Sequence, residues 1–156
     1  MNNIDQIINA LTLEEKVSLL SGFNSWYTKK IEMISIPSIK MSDGPNGVRG
    51  DSNSGKSSAC FPCAISIGSS WDLDQVKKIG VALGEEAQAK NVDVLLGPTI
   101  NIHRHPLGGR HFESFSEDPF LTGKIASNYV QGVQSQNVAA CLKHFVGNDT
   151  EFERHS

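Results

Sequence analysis

No apolar run among the 156 residues approaches the ~20 needed to cross a bilayer, so a membrane span is not expected. The opening Met1-Asn2-Asn3-Ile4-Asp5-Gln6 has no basic region ahead of an apolar one. No signal peptide is read there, and the expected location is cytoplasmic. Excess positive charge is missing too: a formal net charge of −3 argues against nucleic acid or an anionic membrane as partner. Cysteine is scarce, and an odd count of three points to free thiols in a reducing compartment. There is no phosphate-binding glycine loop, no Gly-x-Gly-x-x-Gly and no serine nucleophile elbow. Internal repeats and low-complexity segments are also lacking, and nothing sets an oligomeric state. What is present, 38% hydrophobic and 20% charged residues, is ordinary for a globular protein. Such a chain can bury a single core. It falls short of the ~250 residues of a complete (β/α)8 barrel.

Thr12-Leu13-Glu14-Glu15 has the pattern of a capping box, and Leu13, Val17 and Leu20 then share one helical face up to Gly22. A first strand is expected near Ile39. The segment from Gly50 to Ser58 reads as a loop. Asp72 is placed to cap a second helix with Val76, Ile79, Leu83 and Ala87 at core spacing, closed by Asn91. A second strand starts at Val92. Asp118-Pro119 opens another helix, with Leu121, Ile125 and Val133 on or near its buried stripe and Asn137 at its end. A third strand follows from Val138. Strands alternating with helices imply parallel pairing through right-handed crossovers, an α/β fold.

Each of the three strands ends in polar groups. Ile39-Lys40-Met41-Ser42 runs into Asp43-Gly44-Pro45-Asn46-Gly47-Val48-Arg49-Gly50. Val92-Asp93-Val94-Leu95-Leu96 leads through Gly97-Pro98-Thr99-Ile100-Asn101 to Gly108-Gly109-Arg110-His111-Phe112-Glu113-Ser114. Val138-Ala139-Ala140-Cys141-Leu142 stops at Lys143-His144-Phe145-Val146-Gly147-Asn148. Acids, bases and guanidinium groups at three strand ends describe a ligand site at the carboxyl edge of a parallel sheet. Each residue also has a plainer reading. Asp43 before Gly-Pro can cap its own turn. Arg49 can be a surface charge, and Arg110 can pair locally with Glu113. Lys143 and His144, adjacent on a strand, would point to opposite faces if the strand were regular. Cys60-Phe61-Pro62-Cys63, with His103 and His105, invites a metal or redox reading. However, a helix and a strand separate the two pairs, and the stretch after Pro62 looks buried rather than like a helix start.

Together the three strand-end motifs resemble the N-terminal barrel domain of glycoside hydrolase family 3, β-glucosidase type. The resemblance carries Ser42-Asp43-Gly44-Pro45-Asn46-Gly47-Val48-Arg49, the run from Gly108 to Pro119, and Lys143-His144-Phe145-Val146-Gly147-Asn148. It begins at Leu11-Thr12-Leu13-Glu14-Glu15-Lys16 and is still present at Arg154. It implies the first part of a (β/α)8 barrel, with residues 1–156 a truncated portion of that domain and the remaining barrel and a C-terminal domain absent. Asp43, Arg49, Arg110, Lys143, His144 and Arg154 would be the substrate-binding residues. Asp43 would accept hydrogen bonds from sugar hydroxyls, a role suited to an acceptor-only carboxylate. If Lys143 and His144 both reach one sugar, the backbone there must leave regular strand geometry.

Glycoside hydrolysis takes two carboxyl groups, a nucleophile and an acid/base in retaining enzymes. The resemblance places the nucleophilic Asp and the acid/base Glu beyond Ser156, so no catalytic residue is expected in this chain. Glu113, Glu117 and Asp118 match loop-shaping positions. The expected activity is that of the sugar-binding half of a retaining β-glucosidase acting on terminal non-reducing β-D-glucosyl residues. A small-molecule β-glucoside or oligosaccharide is the implied partner, and no metal or organic cofactor is implied. The alternatives are a non-catalytic carbohydrate-binding remnant and the Cys/His module.

Overall fold

The computed structural model describes residues 4–50, 56–145 and 147–151. The chain divides into two compact units, residues 1–41 and 42–156. The first unit holds α1 (Ile4–Ala10), α2 (Leu13–Leu20) and a 3₁₀ turn at Glu32–Ile34. The capping box of α2 forms as expected: Glu15 N–H donates to Thr12 Oγ1 (3.2 Å) and Thr12 N–H to Glu15 Oε2 (2.8 Å). The shared face of Leu13, Val17 and Leu20 remains exposed, and α1 carries no sequence signal strong enough to be expected.

Short strands β1 (Met41–Asp43), β2 (Val94–Leu96) and β3 (Ala139–Ala140) form a three-stranded sheet in chain order among the described residues. All three are shorter than the apolar runs that announced them. Strands β2 and β3 run parallel, with Val94 opposite Ala139 and Leu95 opposite Ala140. Their pairing resumes past the strand ends, where Lys143 N–H donates to Pro98 O (3.0 Å) and Ile100 N–H to Lys143 O (2.7 Å). Those bonds hold the two polar strand ends side by side. This is the α/β architecture of the first part of a (β/α)8 barrel.

Two long helices build the core of the second unit. In α4 (Leu73–Ala89), Asp72 accepts from Gln75 N–H (2.9 Å), and the four expected residues Val76, Ile79, Leu83 and Ala87 are buried. In α5 (Pro119–Gln134), Asp118 accepts from Phe120 and Leu121 N–H, and Ile125 and Val133 are buried with Tyr129, while Leu121 is only partly covered. Asn91 and Asn137, which follow the two helices, both take left-handed backbone (φ 53° and 57°), a conformation asparagine tolerates. The helices touch backbone to backbone. A Cβ on Gly80 would lie 2.4 Å from Tyr129 O, and one on Gly132 would lie 2.3 Å from Lys77 O. Only glycine allows that approach.

One expectation is corrected. Residues Ala64–Ser69 form a short helix, α3, directly after Cys63. Its Ile67 and Gly68 are buried, and a Cβ on Gly68 would lie 2.2 Å from Phe115 O. Tertiary packing, not propensity, makes this turn of helix. No helix among the described residues is long and apolar enough to cross a membrane.

A buried ion pair positions the loop after β1. Lys90, 5% exposed, lies 3.5 Å from Glu86 and donates to Val48 O and Ser58 Oγ. Glu86 accepts from Val48 N–H (2.7 Å) and Ala59 N–H (2.6 Å). A charge taken from water must be both paired and hydrogen-bonded. Here both conditions are met by backbone on either side of residues 51–55.

Candidate functional site

Asp43 closes β1 and enters a turn that needs Gly44 at φ 118°. The turn is held by Gly47 N–H to Gly44 O (3.1 Å) and Arg49 N–H to Asp43 O (3.0 Å). The Asp43 side chain bonds the Gly44 amide of its own turn. It also accepts from Lys143 Nζ (2.7 Å), one hundred positions away in sequence. Burial alone would push this carboxyl up, but the Lys143 bond and charge, the Gly44 amide and Arg49 outweigh it and hold it below the usual range.

Arg110 follows β2 by way of a long loop. Its guanidinium makes three contacts: Nε to Glu113 Oε1, Nη1 to Glu151 Oε1 (3.1 Å) and Nη2 to His144 Nε2 (3.0 Å). Burial alone would lower its pKa, while the two carboxylates raise it, so the cation is locked on. The local pairing with Glu113 and the approach to the other strand end both occur. They are different edges of one fork.

The peptide between Lys143 and His144 is cis. Lys143 reaches Asp43 while His144 reaches Arg110. Burial first, then the Arg110 charge, pushes the His144 imidazole below its ordinary value. His144 Nδ1 and its backbone N–H both meet Asn101 Oδ1, at 3.0 and 3.1 Å.

Four of the six expected binding residues, Asp43, Arg110, Lys143 and His144, are therefore joined in two hydrogen-bonded pairs, Asp43 with Lys143 and Arg110 with His144. Arg49 stands at the margin, its side chain 71% exposed and 3.9 Å from Asp43. Arg154 lies outside the described residues. Asn101, Glu113 and Glu151 complete the polar wall that Arg110 and His144 line. The contact of Glu151 with Arg110 had no sequence signal, because the two are forty-one residues apart. Asn101 sat in the strand-end run, but its partner is forty-three residues later. Cys60, Cys63 and Cys141 are free thiols. Among the described residues, no group of three or more His, Cys, Asp or Glu side chains is placed to hold a metal ion.

Such a site offers carboxylate acceptors beside ammonium and guanidinium donors, with Asp43 31% and Lys143 17% exposed at the side chain. This is the mix that polyhydroxylated ligands need, since each hydroxyl both donates and accepts. The model of the glycosyl hydrolase family 3 N-terminal domain matches residues 1–156. The chain belongs to that family. A β-glucosidase of Rhizobium radiobacter is 54% identical over 155 residues, covering 98% of this chain and 19% of the relative. The thermostable β-glucosidase B of Acetivibrio thermocellus is 50% identical over 160 residues, covering 97% and 21%. Among solved structures, β-glucosidase from Kluyveromyces marxianus in complex with glucose superposes with a TM-score of 0.92 at 48% identity, over 97% of this chain and 18% of that one. Beta-glucosidase 3B from Thermotoga neapolitana with α-D-glucose gives 0.86 at 40%, over 97% and 24%. The chain thus spans about a fifth of the length of the curated relatives it matches.

Proposed function

We propose that this chain forms the sugar-recognition half of the site of a retaining β-glucosidase, one that hydrolyses terminal non-reducing β-D-glucosyl residues. The observation that carries the reading is the convergence of Asp43, Lys143, Arg110 and His144 from three strand ends. In this reading Asp43 binds sugar hydroxyls as an acceptor. Lys143 and Arg110 donate to the same ring, with Arg49 at its margin. The glucose complexes of the Kluyveromyces marxianus and Thermotoga neapolitana proteins support the choice of sugar.

The bond-breaking carboxyl groups are assigned to sequence beyond Ser156. Retaining hydrolysis needs a nucleophile and an acid/base about 5–5.5 Å apart. Asp43, Glu113, Glu151 and Asp149 are each engaged by a cation, and Asp118 caps α5.

The test is a titration of the 156-residue chain with D-glucose, followed by amide NMR. Shifts should cluster at Asp43, Arg110, Lys143 and His144, and D43N and R110K should weaken or abolish them. Glucose that leaves those resonances unmoved, or binds D43N and R110K as it binds the wild type, would overturn the reading.

A further inference from the structure

His144 is held from both sides by groups whose roles are fixed. Arginine has no acceptor, so His144 Nε2, 3.0 Å from Arg110 Nη2, must accept. On the other side, Asn101 Oδ1 receives both the His144 main-chain N–H and Nδ1. A backbone N–H can only donate, so the Asn101 atom there is the oxygen and Nδ1 must carry the proton. The amide's nitrogen end is fixed independently: Nδ2 donates to His144 O (3.5 Å), which can only accept, and it lies beside the Asp149 carboxylate. That carboxylate also accepts from Ile102 N–H (2.8 Å) and Arg104 Nε, which keep it ionised and acceptor-only. Asn101 is 8% exposed, too enclosed for water to replace these bonds freely.

We infer that Asn101 is a positioning residue that sets the tautomer of His144: proton on Nδ1, lone pair on Nε2 turned towards Arg110. The inference rests on the sugar-site reading above for its functional sense. With that tautomer fixed, His144 meets a sugar as an acceptor. A hydroxyl must donate to Nε2, competing with or sharing the Arg110 donor. The site then pairs acceptor His144 with donor Arg110 at one locus and acceptor Asp43 with donor Lys143 at the other. The charged groups around the imidazole are Arg110 and Lys143, which oppose its protonation, and Glu113 and Glu151, which favour it. Asp149 reaches the ring through Asn101.

Long-range proton–nitrogen NMR of the histidine ring reads the tautomer directly in the wild-type chain. Nδ1 should show the protonated nitrogen shift and Nε2 the bare one, across the pH range where the ring is neutral. Finding the proton on Nε2 would overturn the inference without any variant. N101L removes the acceptor at similar volume and should move the population towards Nε2–H and weaken glucose binding roughly tenfold. N101D retains an acceptor, so it should keep the Nδ1–H tautomer and raise the titration midpoint of His144, because an anion beside the ring favours imidazolium. An N101L chain with the wild-type tautomer and wild-type affinity would overturn the proposal. Should wild-type chain fail to bind glucose while the variants still reset the tautomer, the sugar reading falls and the Asn101 assignment stands.

Discussion

Two ionisable side chains at the site make stability fall in the same direction of pH, each from its own starting point. Asp43 has a folded-state pKa below its ordinary 3.8. Its stabilising contribution is complete above that value and is lost as pH falls through the lower, folded one. His144 also titrates below its ordinary 6.5 in the folded chain. Between its ordinary and its folded value the unfolded state binds the extra proton, so stability again declines as pH falls, but starting from about pH 6.5. Urea midpoints measured from pH 7 downward should therefore fall in two stages. H144Q should flatten the first stage and D43N the second. A variant whose acid limb matches the wild type would show that its group is not coupled to folding. Adjacency in sequence did not tell which of the plainer readings would hold. Arg110 pairs with Glu113 as local spacing suggested, and it also reaches His144 and Glu151, which spacing could not suggest.

Helices α4 and α5 meet at Gly80 and Gly132, while Gly123 in α5 faces open space with nothing within 4 Å of a built Cβ. G132A should thus force the helices apart and cost about 1–3 kcal/mol. G123A should be neutral or stabilise by up to about 1 kcal/mol, since alanine relieves glycine's entropy cost mid-helix. Chemical denaturation of both variants checks the contrast, which propensity alone would predict to be absent. The Glu86–Lys90 pair gives a second element-level expectation. E86A removes a carboxylate from beside the buried Lys90 ammonium and takes the acceptor from the Val48 and Ala59 amides, and should cost about 3 kcal/mol. Replacing both residues with apolar ones of similar size should cost less than E86A alone. In the glucose titration, E86A should also weaken binding, because its partners Val48 and Ala59 frame the loop that follows Asp43.

For the chain as a whole, the proposed division of labour predicts no glycosidase turnover by these 156 residues. Losing one member of a catalytic constellation costs orders of magnitude, and here both carboxyl groups are assigned elsewhere. Incubation with an aryl β-glucoside checks this. Turnover above the buffer rate that survives repurification would place a catalytic acid among Glu113, Glu117, Asp118 and their neighbours.

Helix caps and core stripes were legible from sequence because they are local. Thr12, Asp72 and Asp118 cap within three residues, and Val76, Ile79, Leu83 and Ala87 repeat at the helical period. The strand-end motifs were legible as chemistry for a related reason: a strand must stop where polar groups gather. Three things waited for the tertiary structure. The exposure of Leu13, Val17 and Leu20 depends on what packs over α2, which amphipathic spacing does not contain. The six-residue helix after Cys63 forms by packing on Phe115, fifty-odd residues away, too short to be stable by propensity. The pairing of Asp43 with Lys143 and of Arg110 with His144 is set by the sheet order β1-β2-β3 and by β2 and β3 lying parallel and in register, which bring distant strand ends within hydrogen-bond range. Residue type and local spacing decided which groups could act. Which of them meet was decided by long-range backbone pairing, for which short-range sequence pattern holds no coordinate.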